Sequence, residues 1–251
     1  MEDLRYIYSV ARVRVLETRL LKKEIFLNLL TADTLEAALK MLTETASYPL
    51  DILNIQDSQG LSLFLETQTQ KLRLLANELF IEPFLSEALV ALTKDLSRSY
   101  ALILRAKSDF LKDFIRKFID LYNIKTFFRI SYQGQTAEYL KRSLIDGGYI
   151  LKSELVKRFG QNLDGLYPQA IKEGIAQIEK AGDFSLLERQ IEDYLTDFLR
   201  PAKYMFFGSE PIFAFCLAKE NELKQLHLIL LAKINRLAQT TLQERLTLSY
   251  A

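Results

Sequence analysis

The chain has 251 residues, 49% of them hydrophobic, with 33 basic and 32 acidic side chains for a formal net charge of +1. That is enough apolar content for one large domain or two small ones. The near balance of charge argues against a nucleic-acid binder, which carries a basic excess on one face, and against a polybasic membrane-surface protein. Cys216 is the single cysteine, which excludes an intrachain disulfide and fits a reducing cytosol.

Leu, Lys, Glu and Ala dominate, and alternating β-branched runs are scarce, so almost every segment reads as helix. The opening Met1-Glu2-Asp3-Leu4-Arg5 is acidic and lacks the apolar core of a signal peptide. A first helix is predicted from Leu4 to Leu29. Asp33 then starts the next, with Glu36 as its capping-box partner, and Tyr48-Pro49 ends it. Residues 54–60 read as a polar connector. Pro83 opens the longest pattern, in which Leu85, Leu89, Leu92, Leu96, Ile103, Phe110, Phe114, Phe118 and Leu121 share one face. Unbroken, it would form a rod of roughly 55 Å, with Ser97 and Ser99 as the places for a kink.

Shorter helices are expected at 137–145, 152–159, 167–180 and 185–199. Ser185 with Glu188 forms a capping box for the last of these, and Pro201 stops it. Gly147-Gly148 reads as a tight turn or helix C-cap, since no Gly-rich phosphate-binding pattern with Lys-Ser/Thr surrounds it.

A final helix begins near Ser209-Glu210-Pro211 and carries Ile212, Phe215, Cys216, Lys219, Leu223, Leu226 and Leu230 at helical spacing. Lys219 and Glu220 interrupt this stripe, and Glu222 and Lys224 flank it. Read alone, these charges are a solvated face, with Glu220 and Lys224 as an i,i+4 pair worth a few tenths of a kcal/mol. His227, the single histidine, lies on the same helix and is expected to be packed or partner-facing rather than a catalytic base. No apolar run approaches the roughly 18 residues of a spanning helix, so a meeting with a membrane is expected to run through other proteins.

The chain also echoes itself. Ala11 laid on Ala218 without gaps places Arg12 on Lys219, Leu16 on Leu223, Asn28 on Asn235, Leu30 on Leu237, Leu35 on Leu242 and Leu39 on Leu246. The segment Asn123-Ile124-Lys125-Thr126-Phe127-Phe128-Arg129 looks like a third version of the opening helix. A helical unit used more than once is the expectation, with its first and last copies at the two ends of the chain.

Three segments carry a family resemblance. The opening Tyr8-Ser9-Val10-Ala11-Arg12-Val13-Arg14-Val15-Leu16-Glu17 resembles the start of the C/d-subunit family of V/A-type ATPases. Asn123 through Arg129, followed by Ile145-Asp146-Gly147-Gly148-Tyr149-Ile150, resembles its internal repeat. Phe207-Gly208-Ser209-Glu210-Pro211, Ala218-Lys219-Glu220-Asn221-Glu222 and Lys233-Ile234-Asn235 resemble its C-terminal segment.

The resemblance implies an all-α fold of repeated helical wedges in a funnel- or crescent-shaped body. It divides the chain into an N-terminal helical unit, 1–82, a central helical repeat, 83–200, and C-terminal helices, 201–251, packing back on the N-terminal helix. It implies a non-catalytic central-stalk subunit, peripheral to the membrane on the cytoplasmic side. Such a part couples the rotor axle of the ATP-driven head to the membrane rotor ring, with no cofactor, metal or catalytic residue of its own. Two departures stand out. His227 replaces an arginine of the family pattern. The chain is also short, with one clear Asn-Ile-Lys-type segment, which implies fewer wedges.

By the same resemblance, the residues for partner contact or inter-helix pairing are Arg12, Arg14, Glu17, Lys125, Arg129, Lys219, Glu220, Glu222 and Lys224. Arg12, Arg14, Lys219 and Glu220 are expected chiefly as buried pairs joining the two end helices. Two other classes compete. One is a soluble Mg²⁺-dependent helical enzyme, for which Glu192-Asp193 with Asp197 is the nearest carboxylate cluster. The other is a generic helical-repeat adaptor.

Overall fold

A computed structural model describes residues 4–45, 47–237, 242 and 245–251, and among these it is all-helical, with no strand. Met1 to Asp3, part of the acidic opening, lie outside the described residues. The chain separates into two compact units, Met1–Ser86 with Leu199–Ala251, and Glu87–Phe198.

The first unit holds α1 (Ile7–Glu17), α2 (Lys23–Thr31), α3 (Leu35–Glu44), α4 (Ser58–Leu79) and α12 (Glu210–Ile234). Short 3-10 turns at Leu4–Tyr6, Leu50–Asn54 and Arg200–Tyr204 accompany them. The central element is α12, which packs along α4 and also touches α1, α2, α3 and the 200–204 turn. The spacing of Leu223, Leu226, Ile229 and Leu230 explains this. Those side chains enter one buried cluster with Phe26, Leu29, Leu39, Leu42, Ile52, Leu61 and Phe64. Each such side chain contributes about 1.5–3 kcal/mol by leaving water.

The single helix expected over 4–29 is broken at residues 18–22. The N–H groups of Arg19 and Leu20 bond back three residues to Leu16 and Glu17, which tightens and ends the turn. A continuing helix would give the Leu21 N–H to Glu17, but that N–H goes to the Glu222 carboxylate. The next helix starts one residue later than expected. Thr34, rather than Asp33, caps α3 by accepting from the Ala37 N–H at 3.1 Å, and α3 ends at Glu44, before Pro49 opens the 50–54 turn. Asp57 caps α4 by accepting from the Gly60 N–H, so the last three residues of the expected connector are already helix.

The second unit contains most of α5 (Pro83–Lys94), then α6 (Leu96–Ile103), α7 (Asp109–Tyr132), α8 (Ala137–Ser143), α9 (Lys152–Lys157), α10 (Lys172–Ala181) and α11 (Ser185–Leu199). The expected rod is therefore broken twice. Asp95 accepts from the Arg98 N–H and starts α6, and Ser108 accepts from the Leu111 N–H and starts α7. Both are N-cap hydrogen bonds of the kind that end one helix and begin another. Ser99, an expected kink, is instead fully buried within α6 and donates its hydroxyl to the Ala88 carbonyl of α5.

Helix α11 has the bounds expected of it, and Pro201 sits in the turn that follows. Ser185 is already helical rather than outside the first turn, and its N–H bonds to Asp183 Oδ1. On α7, Leu111, Phe114, Ile115, Ile119, Ile124 and Phe127 are buried, and aromatic contacts join Phe110 to Phe198 and Phe127 to Phe159.

Candidate functional site

Each unit is organised by a buried polar side chain on its longest helix. In the first unit that residue is Glu222, 4% exposed, on a largely apolar buried face of α12. Its Oε2 accepts from the Leu21 N–H at 2.6 Å, and its Oε1 accepts from the Tyr48 hydroxyl at 2.5 Å and from the Lys219 ammonium. Lys219 also lies 4.5 Å above the Tyr48 ring, so one cation serves both the carboxylate and the aromatic face. Burial, and then the neighbouring Glu222 charge, push the Tyr48 hydroxyl well above its ordinary value, so it stays a donor. The cluster joins the chain just after α1 and the segment before the 50–54 turn to the middle of α12.

Two further ties reinforce this seam. Lys233, in the last turn of α12, donates to the carbonyls of Leu30 and Ala32, where α2 ends. A cation at those orphan carbonyls satisfies the helix C-terminus and complements its dipole. The final residues return to the same place. Ser249 donates its hydroxyl to the Leu21 carbonyl, and Asn221 exchanges hydrogen bonds with Thr247.

In the second unit the organising residues are Asp120 and Asn123 on α7. Asn123, fully buried, accepts from the Ile145 N–H at 2.9 Å and donates to the Ile145 carbonyl at 2.8 Å. Asp120 accepts from the N–H groups of Tyr149 and Ile150 at 3.0 and 2.9 Å. Between them the chain turns through Gly147, at φ 113°, and Gly148. A Cβ on Gly148 would lie 2.1 Å from Asp120 Oδ1, so only glycine lets the backbone come this close. The Gly-Gly pair is thus a turn pinned by a carboxylate. Burial raises the Asp120 carboxyl above its ordinary value, and the two N–H donors and the nearby Lys117 oppose that shift.

The residues singled out in the sequence are spread over several places in the two units. Lys219 and Glu222 form the buried cluster. Arg14 and Glu17 pair at 2.7 Å in α1, and Arg14 also donates to the carbonyls of Ala202 and Met205, tying α1 to the 200–204 turn. Arg12 pairs with Glu78 of α4 on the surface, with side chains 42% and 60% exposed. Lys125 and Arg129 share Glu188 of α11, at 3.9 and 2.5 Å. Glu220 is half-buried and Lys224 exposed.

Sequence reasoning missed Tyr48, Asp120 and Tyr6. Tyr6 is 1% exposed and donates to Glu82, which Arg5 also pairs with at 2.7 Å. A buried tyrosine needs a partner for its hydroxyl, but the partner's identity is set only by tertiary contact. His227 is exposed. Cys216 is fully enclosed, and burial pushes its thiol far up, which leaves it unreactive. Among the described residues no three His, Cys, Asp or Glu side chains gather as a metal site, and no helix is long and apolar enough to cross a membrane. The chemistry assembled here holds backbone segments together.

Residues 81–245, well over half of the chain, match the family model described as ATP synthase (C/AC39) subunit. The C subunit of a V-type sodium ATPase from Enterococcus hirae is 31% identical over 141 residues, which covers 53% of this chain. The chain spans 42% of the length of that relative.

Proposed function

The chain belongs to the ATP synthase (C/AC39) subunit family, and from that membership we propose that it is a non-catalytic central-stalk subunit of a V/A-type rotary ATPase. In this role it couples the rotor axle of the ATP-driven head to the ion-translocating membrane ring, from a position peripheral to the membrane. The observation that carries the reading is the family match over residues 81–245.

The physical demand on such a part is torque transmission between two bodies, which requires stiffness rather than chemistry. The buried seams of Glu222 and of Asp120 with Asn123 support this reading, because each fixes loop backbone to a long helix at several points. The near-zero net charge favours docking by shape and local pairs over long-range steering. Of the residues assigned to contact or pairing, Arg12, Arg129 and Lys224 are the most available to a partner, because their side chains stay exposed. Arg14, Glu17, Lys219 and Glu222 serve inside the first unit.

The test is co-purification of the tagged chain from its own cells after mild detergent extraction. The expected result is stoichiometric recovery of head axle and membrane-ring subunits of a rotary ATPase. Recovery of the chain with none of these subunits rejects the proposal.

A further inference from the structure

The second unit carries a groove of about 800 Å³ along α8 and α9, whose lining includes Lys141, Arg142, Leu151, Lys152, Val156 and Lys157 together with the carboxylates Glu138 and Asp146. Arg142 is matched by Glu138 and Lys152 by Asp146, each at 3.3 Å. Lys141 and Lys157, both exposed and both in the last turn of their helix, have no ion pair among the described residues. Between the cations lies an apolar surface, with Leu151 69% exposed and Val156 half-buried. An exposed leucine in a groove that also holds two unpaired lysines is matched by an apolar side chain flanked by carboxylates.

We propose that this groove docks an acidic amphipathic helix of a partner protein, with an apolar residue against Leu151 and Val156 and carboxylates on Lys141 and Lys157. Helix-in-groove recognition has this pattern of apolar anchors with polar flanks, and charges at the rim set encounter rate and salt dependence. Two free cations are too few for a nucleic-acid backbone, where roughly 6–10 phosphate contacts are usual. They are also too few for an anionic lipid surface, which calls for clusters of about 4–8. The proposal stands apart from the rotary-ATPase reading, since it concerns the chemistry of the occupant and not its identity.

The test places a photo-crosslinking phenylalanine analogue at Ser153, an exposed position on the groove, in the full chain expressed in its own cells, and sequences the adduct. The expected adduct is a peptide with clustered Asp or Glu around an apolar residue. Its yield should fall about tenfold in the double variant Lys141→Glu/Lys157→Glu and stay unchanged in Lys71→Glu, a charge reversal on α4. The Lys141→Gln/Lys157→Gln pair, which only neutralises the two lysines, should give an intermediate loss, and unaltered melting of both double variants checks their folding. No adduct, an adduct to lipid, nucleic acid or a peptide without acidic residues, or a yield indifferent to both double variants overturns the proposal. An acidic adduct from a protein outside any rotary ATPase keeps the groove assignment and counts against the function proposed above.

Discussion

Glu222 in the first unit and Asp120 in the second are both buried carboxylates on the longest helix of their unit, and each grips a loop by its backbone N–H. They balance their charge differently. Glu222 takes a lysine, a tyrosine and one N–H. Asp120 takes two N–H groups, with Lys117 acting only through space. The first arrangement joins segments far apart in sequence, since Leu21 and Tyr48 lie 201 and 174 residues from Glu222. The second closes a local turn 29 and 30 residues away. A long-range tie spanning the chain ends is an ion-paired network, whereas a local tie relies on backbone donors and a glycine that admits them.

The contrast breaks most visibly at Glu222. Glu222→Leu leaves the Lys219 ammonium, the Tyr48 hydroxyl and the Leu21 N–H without their shared acceptor, and removing one partner of a buried pair costs about 3–5 kcal/mol. Urea unfolding of the full chain measures this, and the double variant Lys219→Met/Glu222→Leu should recover a large part of the loss. A single-variant cost below about 1 kcal/mol would place Glu222 with the surface pairs. Asn123→Ala should come next, because it orphans both the N–H and the carbonyl of Ile145, at about 1–3 kcal/mol for each buried group. Faster hydrogen exchange of the Ile145 amide would localise the effect to the turn.

A smaller effect lies in the pH dependence that Asp120 brings to stability. The folded carboxyl of Asp120 titrates above its unfolded value, so the native state binds more protons in the interval between the two. Its contribution to stability is therefore greatest below the unfolded value of about 3.9, and falls as pH rises through the raised folded value. This slope is opposite to that of an ordinary ion-paired aspartate. NMR titration of the Asp120 carboxyl should give a midpoint above about 3.9, and a midpoint at or below it would contradict the desolvation argument. The smallest effect is expected at Arg12→Ala. Its pair with Glu78 is open to water on both sides and is worth about 0.2–1 kcal/mol, measurable as a slight shift of the urea midpoint.

The sequence showed where helices form far better than where they stop. The bounds of α11 could be read because its apolar period, its flanking Pro201 and its polar start agree. The breaks at Asp95 and Ser108 were hidden because Leu85 through Leu121 keep one apolar phase across both. The caps themselves were visible only as an Asp and a Ser, which surface helices also carry. The break after Glu17 had no local signal at all, since it depends on a carboxylate 201 residues away taking the Leu21 N–H. The same distance explains why Lys219-Glu220-Asn221-Glu222 read as a solvated run. Helical spacing places Glu222 beside the stripe, but not against Tyr48. Asn123 and the 145–150 segment were each visible as motifs, and the structure adds the reason they occur together, which is that one clamps the other.

The proposed role, coupling rotation to ion transport, can be tested on the whole complex. Membranes from cells lacking the chain provide the direct measurement, as ATP-driven ion uptake into vesicles recorded alongside ATP hydrolysis. The account predicts that hydrolysis by the head persists while uptake is lost, and that adding back the chain restores uptake. Uptake that proceeds at its normal rate per ATP without the chain would contradict it.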